Sequence, residues 1–255
     1  MNIHQRNMLK ELLNAKRTSQ IYMVYQPILD LHSRRVCGFE ALMRWNNPKL
    51  GVVSPDIFIP LLESTGYSVP IEEMVAQKPW DAAVLWPDDL SIAINYSALE
   101  ICVPGLPERI KNNLNVSGLA LHRFEIEITE TTEIKDSGRA LKNISELKDQ
   151  GVRITLDDFG TKYANLDYLL KYPFDTIKID KDYVVNIGQC SRSRKIIECI
   201  IRLAHSLGIV VLAEGVENQE QINKLIELGC DKVQGFYISP PVLPGDIPSL
   251  LKDYE

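Results

Sequence analysis

The sequence lacks the patterns that would place the chain in a membrane or outside the cell. No stretch approaches the roughly 18 consecutive apolar residues that a membrane-crossing helix needs. Residues 1–17, MNIHQRNMLKELLNAKR, have an amphipathic, polar helical pattern without the apolar core of a signal peptide. The five cysteines are odd in number and show no C-x-x-C spacing, so we predict reduced, mostly buried thiols. These absences predict a cytoplasmic protein with no membrane partner.

Basic residues are also fewer than acidic ones. Lys and Arg total 28 against 34 Asp and Glu, which gives a net charge of −6, and no block of basic residues is present. Because nucleic-acid-binding surfaces are basic, we expect no DNA or RNA polymer as a partner. A smaller polyanionic ligand would need local positive groups or metal ions.

Low-complexity segments, linkers and short internal repeats are absent as well. At 255 residues with 45% hydrophobic content, the chain can bury one sizeable core. We therefore predict a single domain over residues 1–255, with residues 1–20 as a helical lead-in. Short β-branched runs alternate with longer helical patterns, which is typical of βα units around a parallel sheet. The eight predicted strands are Tyr22–Leu29, Arg35–Arg44, Ser91–Tyr96, Phe124–Thr129, Arg153–Asp157, Thr176–Ile179, Ile209–Glu214 and Lys232–Phe236.

Polar residues stand at or near the carboxyl ends of the predicted strands. They are Glu40, Asn95, Glu127, Asp157, Asp158, Lys178, Glu214 and Gln234. A single acidic residue in such a position is more often a helix N-cap or a turn former. In a (β/α)₈ barrel, however, all these strand ends meet at one face, where the sites of this fold are built. The five carboxylates would repel one another strongly there unless cations neutralised them.

This set of residue types favours phosphoryl chemistry. Carboxylate and amide oxygens suit Mg²⁺ or Mn²⁺, and no Cys or His cluster offers a zinc alternative. Two such cations about 3.5–4 Å apart can clamp a phosphodiester, activate water and stabilise the leaving oxygen. Lys178 is expected to orient or polarise the attacking water, with a solvent-facing strand end as the alternative. Arg44, further along the Glu40 strand, is expected to face the same side and to grip a phosphate as a fork.

Eight short motifs, in a fixed order along the chain, carry a resemblance to a known family. They are YQPI (25–28), FEALMRW (39–45), NYS (95–97), EITE (127–130), DDFG (157–160), KID (178–180), AEGVE (213–217) and QGF (234–236). Over roughly residues 20–245 the chain resembles the EAL-domain cyclic-di-GMP phosphodiesterases. The resemblance implies an α/β fold, a modified TIM barrel with one strand antiparallel to the others. It also implies hydrolysis of cyclic-di-GMP to the linear dinucleotide pGpG with two Mg²⁺ or Mn²⁺ ions per active site, and inhibition by Ca²⁺.

The resemblance assigns the metal ligands by motif. It implies that Glu40, Asn95, Glu127 and Asp157 bind one metal and that Asp157 bridges to the second. Asp158 would hold the second metal. Of the two adjacent aspartates in the DDFG motif, Asp157 would then bind both metals and Asp158 only the second.

The same resemblance implies catalytic and substrate-binding roles. Glu214 would bind metal and act as general base, although water activated between the two metals would make a separate base unnecessary. Lys178 would contact the catalytic water. Gln234 would lie at the water shell of the second metal or at the substrate, Arg44 at a substrate phosphate and Gln26 near the substrate.

The loop after DDFG departs from the family pattern. Glu130 resembles a glutamate that holds the loop 159–166 in place, and this loop couples the metal site to dimerisation in relatives, so a homodimer is expected. The family usually reads D-D-F-G-T-G-Y-S-S-L, whereas this chain has Lys162 at the second glycine. If that position needs positive φ, a side chain there costs about 1–2 kcal/mol and shifts the loop equilibrium. A solvated Lys162 on an ordinary loop is the alternative.

We therefore interpret the chain as a stand-alone, metal-dependent cyclic-di-GMP phosphodiesterase. The alternative is a catalytically weak or inactive EAL-type receptor for cyclic-di-GMP or a protein partner, although degenerate members generally lose ligands and this chain retains every expected one. A different metal-dependent TIM-barrel enzyme, acting on a phosphorylated metabolite, would fit the polar strand ends but not the ordered motifs.

Overall fold

The computed structural model of the chain describes residues 1, 3–15, 20–65, 77–129, 134, 136–160 and 166–254. The strands within these residues are β1 Ile21–Asp30, β2 Val36–Asn47, β3 Gly51–Val53, β4 Ser91–Tyr96, β5 Phe124–Thr129, β6 Arg153–Phe159, β7 Thr176–Ile179, β8 Val210–Ala213 and β9 Lys232–Val233. The helices are α1 Ile3–Ala15, α2 Pro55–Thr65, α3 Gln77–Ala83, α4 Ala98–Ile101, α5 Leu106–Ser117, α6 Ser137–Asp149, α7 Leu166–Lys171, α8 Lys181–Val185, α9 Ser191–Ser206, α10 Gln219–Leu228 and α11 Ile247–Lys252.

All the strands except β3 close into a barrel. Their hydrogen-bonded order is β1, β9, β8, β7, β6, β5, β4, β2, and β1 pairs again with β2. Strand β1 runs antiparallel to both of its neighbours, whereas the other adjacent pairs around the barrel are parallel. The predicted barrel with one antiparallel strand is confirmed. Because β1 is reversed, its amino-terminal half lies at the mouth of the barrel where the parallel strands end.

The end of one predicted strand differs from the structure at a turn. Strand β2 continues to Asn47, beyond the predicted end at Arg44, because β3 pairs with it across a tight connection. The Asn47 side chain holds that connection by accepting hydrogen bonds from the backbone N–H groups of Lys49 and Leu50, at 2.9 and 3.0 Å. The prediction missed β3 because three residues are too few to show strand periodicity.

The last barrel strand is shorter than predicted. Strand β9 ends at Val233 rather than at Phe236. The carbonyl of Gln234 accepts a hydrogen bond from the Val216 N–H, 3.1 Å away, in the loop after β8. At Gly235 the two backbones approach so closely that a Cβ atom would collide with Val216. The chain therefore leaves the sheet directly after β9, and it leaves Gln234 at the barrel mouth.

Amphipathic helices cover the outside of the barrel. Helix α9 is representative, because it buries Ile197, Ile200, Ile201 and Ala204 at helical spacing and ends before Gly208, whose φ is +72°. No described helix is both long and apolar enough to cross a membrane.

The cysteines lie in different environments. All five are free, but only Cys230 is buried, Cys37 and Cys102 are half-buried, and Cys190 and Cys199 are exposed. The prediction of mostly buried thiols is therefore wrong. Cys190 precedes the first residue of α9 and Cys199 lies on the exposed side of that helix, so neither reaches the core.

Candidate active site at the mouth of the barrel

A buried lysine lies among four carboxylates at the mouth of the barrel. Lys178, on β7, has a side chain that is only 1% exposed. Its Nζ lies 2.7 Å from Glu214 Oε1, 2.8 Å from Glu127 Oε2, 3.3 Å from Glu40 Oε2 and 3.4 Å from Asp157 Oδ1. These four acids come from four different strands or strand ends. The alternative of a solvent-facing Lys178 is wrong, because the side chain points into the barrel.

Amide side chains hold Glu40 from both sides. Asn95 Nδ2 donates to Glu40 Oε1 at 2.7 Å, and Gln234 Nε2 donates to Glu40 Oε2 at 2.7 Å. Gln234 Nε2 also lies 3.2 Å from Gln26 Oε1, on the reversed strand β1. Strand β1 thus contributes Gln26 to the same cluster. Among the described residues, the buried Gln234 Oε1 has no hydrogen-bond partner.

A bulge explains how two adjacent aspartates reach one site. Successive side chains of a regular strand point to opposite faces, so Asp158 should face away from Asp157. The pairing of β6 with β7 shifts register between Leu156 and Phe159, and Asp158 takes a left-handed φ of +58°. Asp157 Oδ1 accepts the Asp158 N–H at 2.9 Å within this bulge. As a result Asp157, Asp158 and Glu214 each offer a carboxylate oxygen within 4.8 Å of the others.

Most carboxyl groups of the cluster are harder to ionise than usual. Burial raises the pKa of Glu127 well above its ordinary value, and the nearby Glu40 charge adds to this effect. Burial also raises the pKa of Asp157, that of Asp158 to about 6 and that of Glu214 to about 8. The protein interior therefore opposes the accumulated negative charge.

The pKa shifts of Glu40 and Lys178 favour their charged forms instead. Burial alone would raise the pKa of Glu40, but the Lys178 charge and the hydrogen bonds from Gln234 and Asn95 outweigh it and lower that pKa. Burial would lower the pKa of Lys178, yet the surrounding carboxylates hold it well above its ordinary value. One permanent ammonium thus faces more carboxylates than it can neutralise.

The donor atoms of the cluster fit divalent metal ions. Asp157, Asp158 and Glu214 converge as hard oxygen ligands, which suit Mg²⁺ and Mn²⁺. The unpartnered Gln234 Oε1 provides a further oxygen that a hydrated cation would satisfy. The raised pKa values have the same origin, since a cation would supply the positive charge that the cluster lacks.

The sequence predicts that two residues, Glu130 and Lys162, affect the loop after DDFG. Glu130 and Lys162 both lie outside the described residues. The expected anchoring of the loop by Glu130 and the expected effect of Lys162 therefore stay predictions.

Arg44 lies next to the cluster rather than in it. Its half-buried side chain lines a cavity of about 260 Å³ that also reaches Asn95. Arg44 Nη1 donates to the Met43 carbonyl at 2.9 Å. No ion pair with a described residue is formed by Arg44, so its guanidinium keeps donors for an anionic ligand.

Comparison with known families identifies the kind of domain that carries this cluster. A sequence model described as the EAL domain matches residues 8–241. The chain belongs to the EAL domain family. The matched span includes every candidate site residue from Gln26 to Gln234, and EAL domains are metal-dependent, in agreement with the acidic cluster.

Several curated proteins share this EAL domain. The chain is 40% identical over 237 residues to an uncharacterized signaling protein of Caulobacter vibrioides, covering 93% of this chain and 29% of that protein. It is 35% identical over 242 residues to the bifunctional diguanylate cyclase/cyclic di-GMP phosphodiesterase MucR of Pseudomonas aeruginosa, covering 93% of this chain and 35% of MucR. The chain thus spans about a third of the length of the curated relatives it matches.

Solved structures share the fold of this EAL domain. The PaMucR phosphodiesterase in complex with c-di-GMP superimposes with a TM-score of 0.88 at 34% identity, covering 94% of this chain and 99% of that one. The EAL enzyme Bd1971, in its form bound to cAMP and cyclic-di-GMP, gives a TM-score of 0.92 at 29% identity, covering 98% of this chain and 69% of that one.

One acidic residue beside the site is absent from the sequence prediction. Glu63, on α2, lines the same cavity as Arg44. Only Asp56 and Glu63 are charged in the largely apolar α2 sequence PDIFIPLLEST, and Glu63 follows the buried Leu61 and Leu62. The sequence signal for Glu63 was an acidic residue in an apolar helix segment. It was missed because the predicted site residues come from motifs at the strand ends, and α2 carries none of these motifs.

Proposed function

We propose that this EAL domain hydrolyses cyclic-di-GMP to pGpG, using two divalent metal ions. The observation that carries the proposal is the cluster of five carboxylates at the barrel mouth, four of which lie within 3.4 Å of the buried Lys178 ammonium. Related proteins named cyclic di-GMP phosphodiesterases, MucR and NbdA among them, support the choice of substrate. A homodimer and a cytoplasmic location belong to the same proposal.

The metal ligands in this proposal are Glu40, Asn95, Glu127, Asp157, Asp158 and Glu214. Bound Mg²⁺ or Mn²⁺ would supply charge neutralisation at the phosphodiester and activation of water. The protein's own contribution is to hold its carboxylates in place. The amides of Asn95 and Gln234 orient Glu40, and the bulge at Asp157 turns Asp158 toward the site.

Lys178 and Glu214 are the proposed proton-handling pair. Their side chains lie 2.7 Å apart, so Lys178 can donate to the attacking water while Glu214 receives the water's proton. Gln234 and Gln26 complete the rim that would contact the substrate.

The proposed activity is tested by chelation. We expect purified protein to convert cyclic-di-GMP to pGpG in Mg²⁺ or Mn²⁺, and excess EDTA to abolish turnover, because the carboxylates need cations. Ca²⁺ should bind but support little turnover, since its coordination is longer and more variable. Chromatographic product analysis, with a phosphate monoester as comparison substrate, separates this activity from that of another metal-dependent enzyme. Binding of cyclic-di-GMP without turnover in any metal would establish the receptor alternative.

Arg44 is expected to contribute to substrate binding more than to chemistry. Removing its guanidinium in Arg44→Ala should raise KM for cyclic-di-GMP about tenfold or more while changing kcat less, because a charged hydrogen bond contributes roughly 1.5–3 kcal/mol. Steady-state kinetics at saturating Mg²⁺ measure both constants. Arg202→Ala, on the exposed side of α9, is the matched control and should leave KM unchanged. An unchanged KM in Arg44→Ala would refute the phosphate role.

A further inference from the structure

A tyrosine hydroxyl holds the backbone at the end of the DDFG segment. Tyr183, on α8, donates a hydrogen bond from its hydroxyl to the Gly160 carbonyl at 2.6 Å. The two groups come this close because Gly160 has no side chain and a φ of +102°. A Cβ atom there would lie 3.1 Å from the Tyr183 hydroxyl and 3.2 Å from a ring carbon. The tyrosine ring therefore packs directly against the backbone of Gly160. The predicted site residues do not include Tyr183.

The nearby Asp158 has an unfavourable backbone conformation. Its φ of +58° lies in the left-handed region, where a residue with a side chain is destabilised. This cost is comparable to the contribution of one hydrogen bond. Backbone strain of this kind persists only where the surrounding structure holds it. The contacts on either side of Asp158 therefore decide whether the bulge is kept.

These contacts come from one short stretch of the chain, the end of β7 and the start of α8. On one side of Asp158, Lys178 Nζ lies 3.4 Å from Asp157 Oδ1. On the other side, Phe159 pairs with β7 in the sheet, and Tyr183 holds the carbonyl of the following residue. The first contact joins charges inside the barrel. The last depends on a single hydroxyl, and it fixes the direction in which the chain leaves β6.

We propose that Tyr183 is a positioning residue, whose hydroxyl keeps the Asp158 carboxylate turned toward the proposed metal site. Its kinetic consequence rests on the proposed function, whereas the positioning is a property of the metal-free protein. Asp158 offers a carboxylate oxygen within 4.8 Å of those of Asp157 and Glu214. Without the hydroxyl, β6 can relax toward a regular strand, in which Asp158 would face away from Asp157. Tyr183 acts through the backbone and takes no part in bond breaking.

Tyr183→Phe removes the hydroxyl and keeps the ring, and hydrogen exchange in the metal-free protein measures the result. The Asp158 N–H donates to Asp157 Oδ1 at 2.9 Å within the bulge, so its exchange rate reports on local opening there. We expect this N–H to exchange about three- to tenfold faster in the variant, because one hydrogen bond contributes roughly this factor to an equilibrium constant. Deuterium exchange followed by NMR measures the rate.

Metal binding should change in the same direction. Calorimetric titration of metal-free Tyr183→Phe should show an Mn²⁺ affinity about three- to tenfold below that of wild type, because the competent arrangement of Asp158 is less populated. At limiting Mn²⁺, turnover of cyclic-di-GMP should fall by a similar factor. Saturating Mn²⁺ should restore kcat and leave KM for cyclic-di-GMP unchanged. A purely structural defect would lower turnover at every Mn²⁺ concentration.

A second tyrosine provides the matched control. Tyr254, beyond the end of α11, also donates from its hydroxyl to a backbone carbonyl, that of Ile238 at 2.9 Å. Tyr254→Phe should keep wild-type exchange at Asp158, wild-type Mn²⁺ affinity and wild-type turnover. In Tyr183→Phe the amides of β8 should exchange as in wild type, which separates a local effect from general destabilisation. Equally accelerated exchange in β8 and at Asp158 would overturn the inference.

Failure of the proposed activity has a different signature. If wild type does not turn over cyclic-di-GMP, the proposed function fails, while hydrogen exchange and Mn²⁺ titration still test Tyr183. Faster exchange at Asp158 together with weaker Mn²⁺ binding by Tyr183→Phe supports the positioning role even then. A wild-type value for either quantity overturns it, and so does a wild-type protein that binds no Mn²⁺.

Discussion

Replacing Asp157 by asparagine is expected to lower turnover of cyclic-di-GMP about a thousandfold or more. The substitution keeps the shape of the side chain, and the remaining Oδ1 can still accept the Asp158 N–H, so the bulge is preserved. The negative charge shared by the two proposed metals is lost. Metal ions contribute several kcal/mol to transition-state stabilisation, and each 1.4 kcal/mol is a factor of ten in rate.

The same variant should remain folded. Burial raises the pKa of Asp157, which means that the protein interior disfavours the ionised group that asparagine replaces. The melting temperature of metal-free Asp157→Asn should therefore equal or exceed that of wild type, and calorimetry would show a smaller heat of Mn²⁺ binding. Asp149→Asn, exposed on α6, is the control and should keep wild-type turnover. Near-parental activity of Asp157→Asn would remove Asp157 from the ligand set.

The barrel could be predicted from sequence because its strands are short and clearly delimited. Ser91–Tyr96, Phe124–Thr129 and Thr176–Ile179 have the same bounds in the prediction and in the structure. Each is a β-branched, largely buried run bounded by polar or turn residues, which is the pattern of a strand in a covered parallel sheet. The reversal of β1 has no such local signal, since strand direction depends on distant pairing. Only the family resemblance predicted it.

The candidate site was predicted in composition but not in its electrostatic arrangement. Strand-end positions are visible as polar residues after apolar runs, so the carboxylates could be named in advance. The left-handed Asp158 could not, because a regular strand would turn it away from Asp157. The contacts of Lys178 with four carboxylates could not be predicted either, because these side chains come from distant parts of the chain. Glu63 was missed for the same reason, because it reaches the cavity from a helix without a motif.

Lys178 lies at the centre of the carboxylate cluster. This position gives it a structural role in addition to its proposed contact with the attacking water. In the metal-free protein its ammonium is the nearest positive charge to Glu40, Glu127, Asp157 and Glu214 among the described residues. Removing one partner from a buried ion pair typically costs about 3–5 kcal/mol, because the remaining charge is left uncompensated. This ammonium therefore keeps the carboxylates together when no metal is bound.

Lys178→Met is accordingly expected to lose turnover and to destabilise the metal-free protein. A loss of about 3–5 kcal/mol corresponds to a fall of roughly 6–20 °C in melting temperature for a chain of this size. This fall in melting temperature should be larger at higher pH. In the folded wild type the pKa of Glu214 is raised from 4.5 to about 8, so the stability gained from its bound proton is fully present below pH 4.5 and is lost as the pH rises to 8. The Lys178 charge also holds down the pKa of the buried Glu40, so in the variant the ionisation of Glu40 should destabilise the fold as the pH rises from 5 to 8.

Melting curves at pH 5 and pH 8, with and without Mn²⁺, measure the effect of Lys178→Met. Mn²⁺ should raise the melting temperature of the variant more than that of wild type, because the cation replaces the missing ammonium among the carboxylates. Lys148→Met is the matched control, since Lys148 makes a partly exposed ion pair with Asp175, at 2.6 Å. Such a pair contributes about 1 kcal/mol or less, so the control should melt within a few degrees of wild type. Equal melting of Lys178→Met and wild type at both pH values would show that Lys178 does not hold the metal-free site together.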